Sequence, residues 1–337
     1  MPGPRLLDPG ILIIVPCGGI VAESQASASR ALSAAVTVCV CTYRRPGQLA
    51  ELLHRLAQQD GPPGFSEVIV VDNDVAASAR LVVAAALARG LPFELRYDVQ
   101  PEKNIALTRN RTVAMATGQW IAFIDDDELP SRQWLRRMVQ TASEHNAQGA
   151  MGPVIALLPE TAAEWIRRGH FYDRPRFPTG TVVPRNQFRT SNALCAADWL
   201  RRIEGPFDPE YGLTGGSDAH MFNLLANLGA RFVWCDEAEV EELVGEERLR
   251  LRWLLMRRFR GGNDFARLTI SGAYGPVRPW TIPIFAGRAF AQMAVAAVVS
   301  VAALPFGRRR SADWLFRVFS NAGKLAALLG LHYREYA

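Results

Sequence analysis

Short apolar runs alternate with helical stretches between residues 36 and 146. Apolar and β-branched residues dominate four segments, which predicts strands at residues 36–41, 67–71, 93–97 and 120–124. Helical spacing or alanine-rich composition predicts helices at residues 48–59, 78–89, 105–117 and 131–146, the third stopped by Gly118 and the fourth capped by Ser131. This alternation predicts an α/β fold, in which helices cover both faces of a mostly parallel sheet.

The last quarter of the chain differs in charge from the rest. Residues 244–337 contain 15 basic and 5 acidic residues, a net charge of +10, whereas the whole chain carries +5. We expect a poorly ordered N-terminal extension at residues 1–35, an α/β domain at 36–245, and a helical, basic region at 246–337. Such a basic and apolar region suits an anionic membrane surface or a phosphate-bearing substrate, and no motif for reading nucleic acid accompanies it.

Polar clusters follow three of the predicted strands directly. They occupy residues 42–45, 72–74 and 125–128, and the last is a run of four acids. Ligands of open α/β sheets bind beyond the carboxyl ends of the strands, so these clusters mark a candidate site. Four successive acids repel one another unless a cation or hydrogen bonds compensate them, which points to a divalent metal with oxygen ligands. Acids that only begin the next helix are the alternative.

A second candidate feature is a flexible turn that ends in an acid. Gly215 and Gly216 precede Ser217 and Asp218, at the start of a predicted helix over residues 218–228. Asp218 is a candidate general base, provided that it lies within hydrogen-bonding reach of a substrate hydroxyl. The alternative is an N-cap aspartate without a chemical role.

Five motifs in this order resemble family 2 inverting glycosyltransferases. They occupy residues 38–45, 72–74, 103–110, 123–128 and 215–218, and residues 214–218, 233–238 and 257–262 are similar to a bacterial subgroup linked to succinoglycan-type exopolysaccharide synthesis. The resemblance covers about residues 36–265. It implies a GT-A fold for the α/β domain, with the helical, basic region as a C-terminal extension.

The resemblance also implies a role for each matching residue. In a site for a nucleoside-diphosphate sugar, Thr42, Tyr43 and Arg45 would line the base pocket, and Asp72 or Asp74 would hold the base. Arg109 would approach the phosphates. Asp125 and Asp126 would contact the nucleotide sugar, with Asp125 on the ribose. Asp127 would bind Mg²⁺ or Mn²⁺ on the diphosphate, and Asp218 would deprotonate the acceptor. Direct displacement with inversion at the anomeric carbon is the implied mechanism.

The sequence departs from the family pattern at three places. Ser217 stands where many relatives carry Glu, and residues 237–242 lack the His that often supplies a second metal ligand. Glu241 and His220 are two candidates for that ligand. Leu249 replaces the Gln of the Gln-x-x-Arg-Trp signature of processive relatives, which favours addition of a single sugar.

The turn after the first predicted strand argues against an oxidoreductase. A dinucleotide-dependent oxidoreductase needs a glycine-rich turn after the first strand, and residues 42–46 contain no glycine. Two alternatives stay open at this point. One is a sugar-phosphate nucleotidyltransferase, and the other is a catalytically inactive GT-A membrane scaffold.

The segment 281–305 is almost wholly apolar and is followed by three arginines at 308–310. Arg288 and Gln292 interrupt it, which weakens it as a membrane-spanning signal. We expect an interfacial helix with its arginines on anionic lipid at the cytoplasmic face of the inner membrane, either peripheral or with one weak membrane segment. A helix buried against the catalytic domain is the alternative. The expected acceptor is a lipid-linked or other saccharide.

Overall fold

The computed structural model describes residues 35–61 and 64–334, so the predicted extension lies outside the described residues except for Ala35. The strands are β1 (Val36–Thr42), β2 (Phe65–Asp72), β3 (Glu94–Val99), β4 (Trp120–Asp125), β5 (Glu128–Pro130), β6 (Gly149–Met151), β7 (Val154–Leu157), β8 (Ala193–Ala196), β9 (Phe232–Trp234) and β10 (Val240–Leu243). The α-helices are α1 (Pro46–Ala57), α2 (Arg80–Arg89), α3 (Ile105–Met115), α4 (Trp134–Glu144), α5 (Glu164–Arg167), α6 (Ala197–Leu200), α7 (Ser217–Asn227), α8 (Leu251–Ile270), α9 (Thr281–Ala302) and α10 (Arg308–Leu328).

Seven strands form the main sheet in the order β3-β2-β1-β4-β8-β6-β9. The pairs β3–β2, β2–β1, β1–β4 and β6–β9 are parallel, and β8 is antiparallel to both of its neighbours. The chain leaves β1 towards β2 on one side and later returns to place β4 on the other, so a crevice opens between β1 and β4. Pairing of Cys41 with Asp125, and of Thr42 with Asp72, brings the three polar clusters to one edge.

The two faces of the main sheet carry separate cores because successive strand residues point to opposite sides. Val38 and Val40 pack with the leucines of α1 and with Trp134 of α4. Cys39, between them, packs with residues of α3 and α7 on the other face. The predicted α/β architecture, a mostly parallel sheet covered on both faces, is confirmed.

Two of the predicted helix signals are wrong in detail. The fourth helix begins at Trp134, after a turn in which Trp134 N donates to Ser131 O, and the Ser131 hydroxyl has no partner among the residues described. The third helix ends at Met115 with an extended Ala116. Gly118 instead allows close packing on β1, because a β-carbon there would lie 2.7 Å from Thr37 N.

The C-terminal helices pack on the α/β domain and on one another. Leu254 of α8 and Phe316 of α10 share an apolar cluster with Ile166 and Val244. Helices α8 and α10 cross at Gly262 and Gly323, where a β-carbon on either residue would clash with a carbonyl group of the other helix. The helical character predicted for residues 246–337 is present in α8, α9 and α10.

Asn192 connects the main sheet to the smaller sheet β5-β10-β7. Its side chain is fully buried, accepts from Trp134 Nε1 at 2.7 Å, and donates to Pro153 O at 2.8 Å and to Ala238 O at 2.7 Å. Its φ of +56° is in the left-handed region, which asparagine tolerates better than most residues.

We therefore predict that Asn192→Ala lowers the free energy of unfolding by about 3–5 kcal/mol, because three buried hydrogen bonds are lost and their partners stay buried. Asn146→Ala is the matched control. Asn146 has a φ of +48° but is exposed, so its replacement should cost about 1 kcal/mol or less. Chemical denaturation of both variants measures the difference, and equal losses would contradict the assigned role of the Asn192 side chain.

Candidate active site

A cavity of about 500 Å³ lies at the carboxyl ends of β1 and β4. We call it the donor-side cavity, because the resemblance implies that the residues after these strands bind a nucleoside-diphosphate sugar donor. Among the predicted site residues, its lining includes Thr42, Tyr43, Arg45, Arg109, Asp125, Asp126 and Asp127. Residues from distant parts of the chain complete it, namely Arg174, Glu242, Glu247, Arg248, Trp253, Arg257 and Arg260, together with Cys41, Asn73, Lys103 and Ile105.

The acids after β4 differ in their partners. Asp126 is buried and accepts hydrogen bonds from Thr42 Oγ1 at 2.8 Å and Arg45 Nη1 at 3.0 Å. Asp127 Oδ2 accepts from Arg45 Nη1 at 2.9 Å and from Arg248 Nη2 at 3.0 Å. Arg45 therefore joins the segment after β1 to the acids after β4.

Glu242 of β10 brings a further carboxylate to the same cavity. It accepts from Arg248 Nη1 at 2.6 Å and from Arg174 Nη2 at 2.9 Å. Arg248 thus bridges Asp127 and Glu242, two residues that are far apart in sequence. Glu241, which the sequence suggested as a metal ligand, is exposed and does not line the cavity, because successive residues of β10 point to opposite sides.

Burial and mutual repulsion act on these carboxyl groups together. Burial raises the pKa of Asp125, the positive charge of Arg109 opposes that rise, and the charges of Asp127, Asp126 and Glu242 add to it. Burial likewise raises the pKa of Asp126, against the effect of Arg45. A cation in this cavity would relieve the repulsion.

The two acids at the end of β2, Asp72 and Asp74, have partners outside the donor-side cavity. Asp72 is fully buried and accepts from Asp74 N at 2.9 Å, Ala79 N at 2.8 Å and Tyr97 Oη at 3.1 Å. Asp74 pairs with Arg44 at 3.2 Å, and this hydrogen bond lowers the pKa of Asp74. Neither carboxylate lines the donor-side cavity, whereas Asn73 between them does.

A second cavity of about 510 Å³ adjoins the first. We call it the acceptor-side cavity, because the resemblance implies that Asp218, which lines it, deprotonates the acceptor. The two share Ile105, Arg109 and Arg260 in their linings. Asp218 lines the second cavity, beside Gly215 and Gly216, whose φ angles of +91° and +89° are in the left-handed region that glycine adopts freely.

Asp218 is held by backbone groups. Its Oδ1 accepts from Ala219 N at 2.8 Å and its Oδ2 from Thr190 N at 3.4 Å. The neighbouring Ser217 is buried and its hydroxyl accepts from Arg109 Nη1 at 3.1 Å. Arg109 therefore connects the start of α7 to the cavity that holds the acids after β4.

Arg189 is a partly buried arginine whose charge interacts with that of Asp218, and sequence reasoning missed it. Burial lowers the pKa of its guanidinium to about 10, and the charges of Glu128, Asp218 and Glu242 oppose that change. Its Nε and Nη2 are buried and make no hydrogen bond within the described ranges. It is an isolated arginine in irregular sequence, so no motif marked it.

The donor-side acids fit a divalent ion that takes most of its ligands from a substrate. Ions such as Mg²⁺ need only one or two protein carboxylates when phosphates and water complete the shell. Asp127 suits this use, because it lines the cavity and accepts from both Arg45 and Arg248 through the same oxygen, Oδ2. In the part of the chain that is described, no three His, Cys, Asp or Glu side chains form a metal site on their own. His220 stacks on Tyr211 and lines neither cavity.

Known proteins similar to this chain bear on the arrangement. The family described as Glycosyl transferase family 2 matches residues 37–201. The succinoglycan biosynthesis protein ExoM of Rhizobium meliloti (strain 1021) is 36% identical over 300 residues, which are 88% of this chain and 93% of that protein. Solved structures also resemble this chain. One is the mannosyltransferase PcManGT from Pyrobaculum calidifontis in complex with GDP-Man and Mn²⁺, with a TM-score of 0.59 and 18% identity over 92% of this chain and 97% of that one. Another is S. aureus TarS 1-349 in complex with UDP-GlcNAc, with a TM-score of 0.50 and 15% identity over 89% and 93% of the two chains.

Proposed function

The chain belongs to glycosyltransferase family 2, and from that premise we propose that it is a metal-dependent, inverting enzyme that adds one sugar to a saccharide or lipid-linked acceptor. It is a glycosyltransferase of GT-A fold, and its similarity to ExoM relates it to succinoglycan biosynthesis. The observation that carries the proposal is the pair of adjoining cavities, one with Asp127 and the arginines, the other with Asp218.

The donor-side cavity suits a nucleoside-diphosphate sugar. Guanidinium groups match the geometry of phosphate oxygens, and Arg109, Arg248 and Arg257 line this cavity. Tyr43 offers an aromatic face to a base, with Lys103 Nζ 5.3 Å from its ring centre. Thr42 and Arg45 border the same end, and Asn73 is better placed than Asp72 or Asp74 to contact the base. Solved relatives hold UDP-GlcNAc or GDP-Man, which supports a donor of this class.

Bound to Asp127, Mg²⁺ or Mn²⁺ would neutralise the charge that develops on the departing diphosphate. The PcManGT structure contains Mn²⁺, which is consistent with that choice of ion. Asp125 would contact the ribose of the donor. Asp126 holds Thr42 and Arg45 beside Asp127 through its hydrogen bonds to them. Arg45 and Arg248 balance the charge of Asp127 in the free enzyme.

Asp218 is the proposed base. It takes the proton of the acceptor hydroxyl, the hydroxyl oxygen bonds to the anomeric carbon, and the bond from that carbon to the diphosphate breaks. Attack from the acceptor side, opposite the leaving group, inverts the configuration. The backbone N–H groups of Ala219 and Thr190 orient the carboxylate for this transfer.

Turnover of nucleotide sugars separates this proposal from its alternatives. Hydrolysis of a panel of nucleotide sugars, including UDP-GlcNAc and GDP-Man, should release a nucleoside diphosphate from one member. Release of pyrophosphate from a nucleoside triphosphate and a sugar phosphate would indicate a nucleotidyltransferase. Turnover in neither assay would favour an inactive scaffold.

For the metal, we predict that Asp127→Ala abolishes both Mn²⁺-dependent donor binding and turnover, because the ion loses its protein carboxylate. Glu241→Gln is the control from β10 and should keep the full Mn²⁺ dependence, since Glu241 is exposed and does not line the cavity. Calorimetric titration of the donor with and without Mn²⁺ measures the effect. Undiminished turnover in excess chelator would contradict the metal assignment.

For the base, we predict that Asp218→Asn leaves donor affinity unchanged and lowers the transfer rate by about 10²- to 10⁴-fold, the usual contribution of a positioned base. Asparagine can accept the shorter bond, from Ala219 N, through its Oδ1, and it loses only the longer one, from Thr190 N at 3.4 Å, so folding should be preserved. Asp198→Asn, at an exposed residue of α6, serves as the control. Near-normal transfer by Asp218→Asn would make Asp218 a structural residue.

Helix α9 supports attachment to a membrane. It is one described helix that is long and apolar enough to cross a bilayer, which by itself is weak evidence for spanning. Its small residues Ala289, Ala296 and Ser300 are buried, whereas Phe290 and Val298 are 62% and 71% exposed. An outward apolar face beside Arg309 and Arg310 suits an anionic lipid surface better than burial against the catalytic domain.

We predict that the protein floats with vesicles containing phosphatidylglycerol and binds vesicles of phosphatidylcholine more weakly. Val295→Asp combined with Val298→Asp should abolish flotation, because both side chains are exposed on α9. Leu81→Asp, at an exposed apolar residue of α2, is the matched control and should float normally. Equal flotation of the α9 variant would rule out this face, and resistance of the cell-bound protein to alkaline carbonate would indicate a spanning segment.

A further inference from the structure

The acceptor-side cavity contains a second carboxyl group, which faces Asp218 from the C-terminal helices. Asp264 belongs to α8 and lines the cavity together with Arg260 of the same helix and Lys324 of α10. A β-carbon built on Gly216 would lie 3.5 Å from the carboxyl carbon of Asp264. Asp264 therefore lies against the glycine turn that precedes Asp218.

The position of Asp264 is fixed by the packing of α8 on α10. Its neighbour Asn263 is buried and donates through Nδ2 to Gly323 O at 3.2 Å and to Leu331 O at 2.8 Å. Gly262 and Gly323 allow the two helices to touch, as described above. These contacts hold α8 at one rotation, so that residue 264 faces Gly216 and the cavity.

One oxygen of the Asp264 carboxyl group has no partner among the residues described. Its Oδ1 is buried and accepts no hydrogen bond from any residue that the structure describes. Burial raises its pKa to about 7, with the negative charge of Asp218 adding to that effect and Arg260 and Arg267 opposing it. Arg267 is engaged elsewhere, because it donates to the Thr214 hydroxyl and its guanidinium lies 4.1 Å from the centre of the Tyr211 ring. Buried polar atoms without partners are uncommon in folded proteins and call for an explanation.

We propose that Asp264 binds a hydroxyl group of the acceptor sugar, next to the hydroxyl that Asp218 deprotonates, and so selects and orients the acceptor. This inference rests on the proposed function of the two cavities. A sugar presents several hydroxyl donors on adjacent carbons, and one of them fills the vacant acceptor at Asp264 Oδ1 while another reaches Asp218. The C-terminal helices are then part of the acceptor site as well as an attachment region.

The chemistry of the cavity favours a hydroxyl over a cation as the partner of Asp264. Arg260 and Lys324 line the same cavity, and their positive charges oppose entry of a metal ion or an ammonium group. A neutral sugar meets no such barrier, and its remaining hydroxyls can accept hydrogen bonds from these two side chains. Asp264 thus differs in its role from Asp127, which lies in the other cavity.

The experiment measures sugar transfer to octyl β-D-glucoside, octyl β-D-galactoside and octyl β-D-mannoside, with the donor identified by hydrolysis. Asp264→Ala should raise the KM for the accepted glycoside about 10- to 100-fold, the usual effect of losing a hydrogen bond to a charged group. The donor KM and the rate of donor hydrolysis by water should not change. Asp264→Asn keeps a hydrogen-bond acceptor and should restore most of the affinity.

Monodeoxy analogues of the accepted glycoside identify the hydroxyl. One analogue should bind more weakly than the parent glycoside to the unaltered enzyme, and equally well in Asp264→Ala, because the two changes remove the same hydrogen bond. Asp198→Asn is the control and should discriminate between the analogues as the unaltered enzyme does. Donor binding and thermal unfolding show whether each variant is folded.

Three outcomes would overturn the proposal while leaving the proposed function intact. The first is an unchanged glycoside KM in Asp264→Ala when Asp218→Asn abolishes transfer. The second is an accepted glycoside whose monodeoxy analogues lose the same affinity, relative to the parent glycoside, in Asp264→Ala as in the unaltered enzyme. The third is a second Mn²⁺-binding event, separate from the donor-linked one, that Asp127→Ala leaves in place and Asp264→Ala removes, since Asp264 would then hold a cation in the acceptor-side cavity. Absence of any nucleotide-sugar turnover would instead contradict the proposed function itself.

Discussion

Compensation of negative charge at the end of β4 is the constraint on which the site depends. Asp125, Asp126 and Asp127 leave a buried strand in succession, and Glu242 approaches from β10. Ionised carboxylates this close repel one another unless cations or hydrogen bonds compensate their charge. Arg45 and Arg248 supply the charge through direct ion pairs, and each of them also joins separate parts of the chain. The same balance of charges suits a site for a diphosphate with its metal ion, because the arginines can pair with phosphate when the ion takes Asp127.

Arg109 links this charged region to the chemistry of transfer. It opposes the pKa rise of Asp125 on one side and donates to Ser217 on the other. Ser217 begins α7 and precedes Asp218, so the proposed base is tied to the donor-side cavity through one guanidinium group. A donor and an acceptor held in adjoining cavities need this fixed relation, because displacement requires the two reacting atoms to be aligned.

The C-terminal helices have two different faces. Helix α8 and part of α10 turn polar residues towards the acceptor-side cavity, whereas α9 turns large apolar residues outward. The small residues along α9 and at the α8–α10 crossing let these helices pack closely while those faces stay free. If the acceptor carries a lipid, α8 and α10 would contact its sugar, and the apolar face of α9 would lie beside its lipid.

The sequence alone determined four strands and four helices between residues 36 and 146, apart from their exact ends, and the edge of the sheet at which the site lies. The carboxyl ends of parallel strands meet at one edge of a sheet, so the local pattern was enough to place Thr42, Asp125 and Asp127 at that edge. The GT-A fold followed from the resemblance of the ordered motifs to a known family. The sequence did not show which of Glu241 and Glu242 faces the cavity, because apolar and polar residues alternate only weakly over residues 239–242. The pairing of β10 with β5 and β7 decides it. Arg174 and Asp264 carry no local signature, and the irregular segment and α8 bring them to the two cavities. Only tertiary packing decided these contacts, because burial and charge compensation act between residues that are distant along the chain.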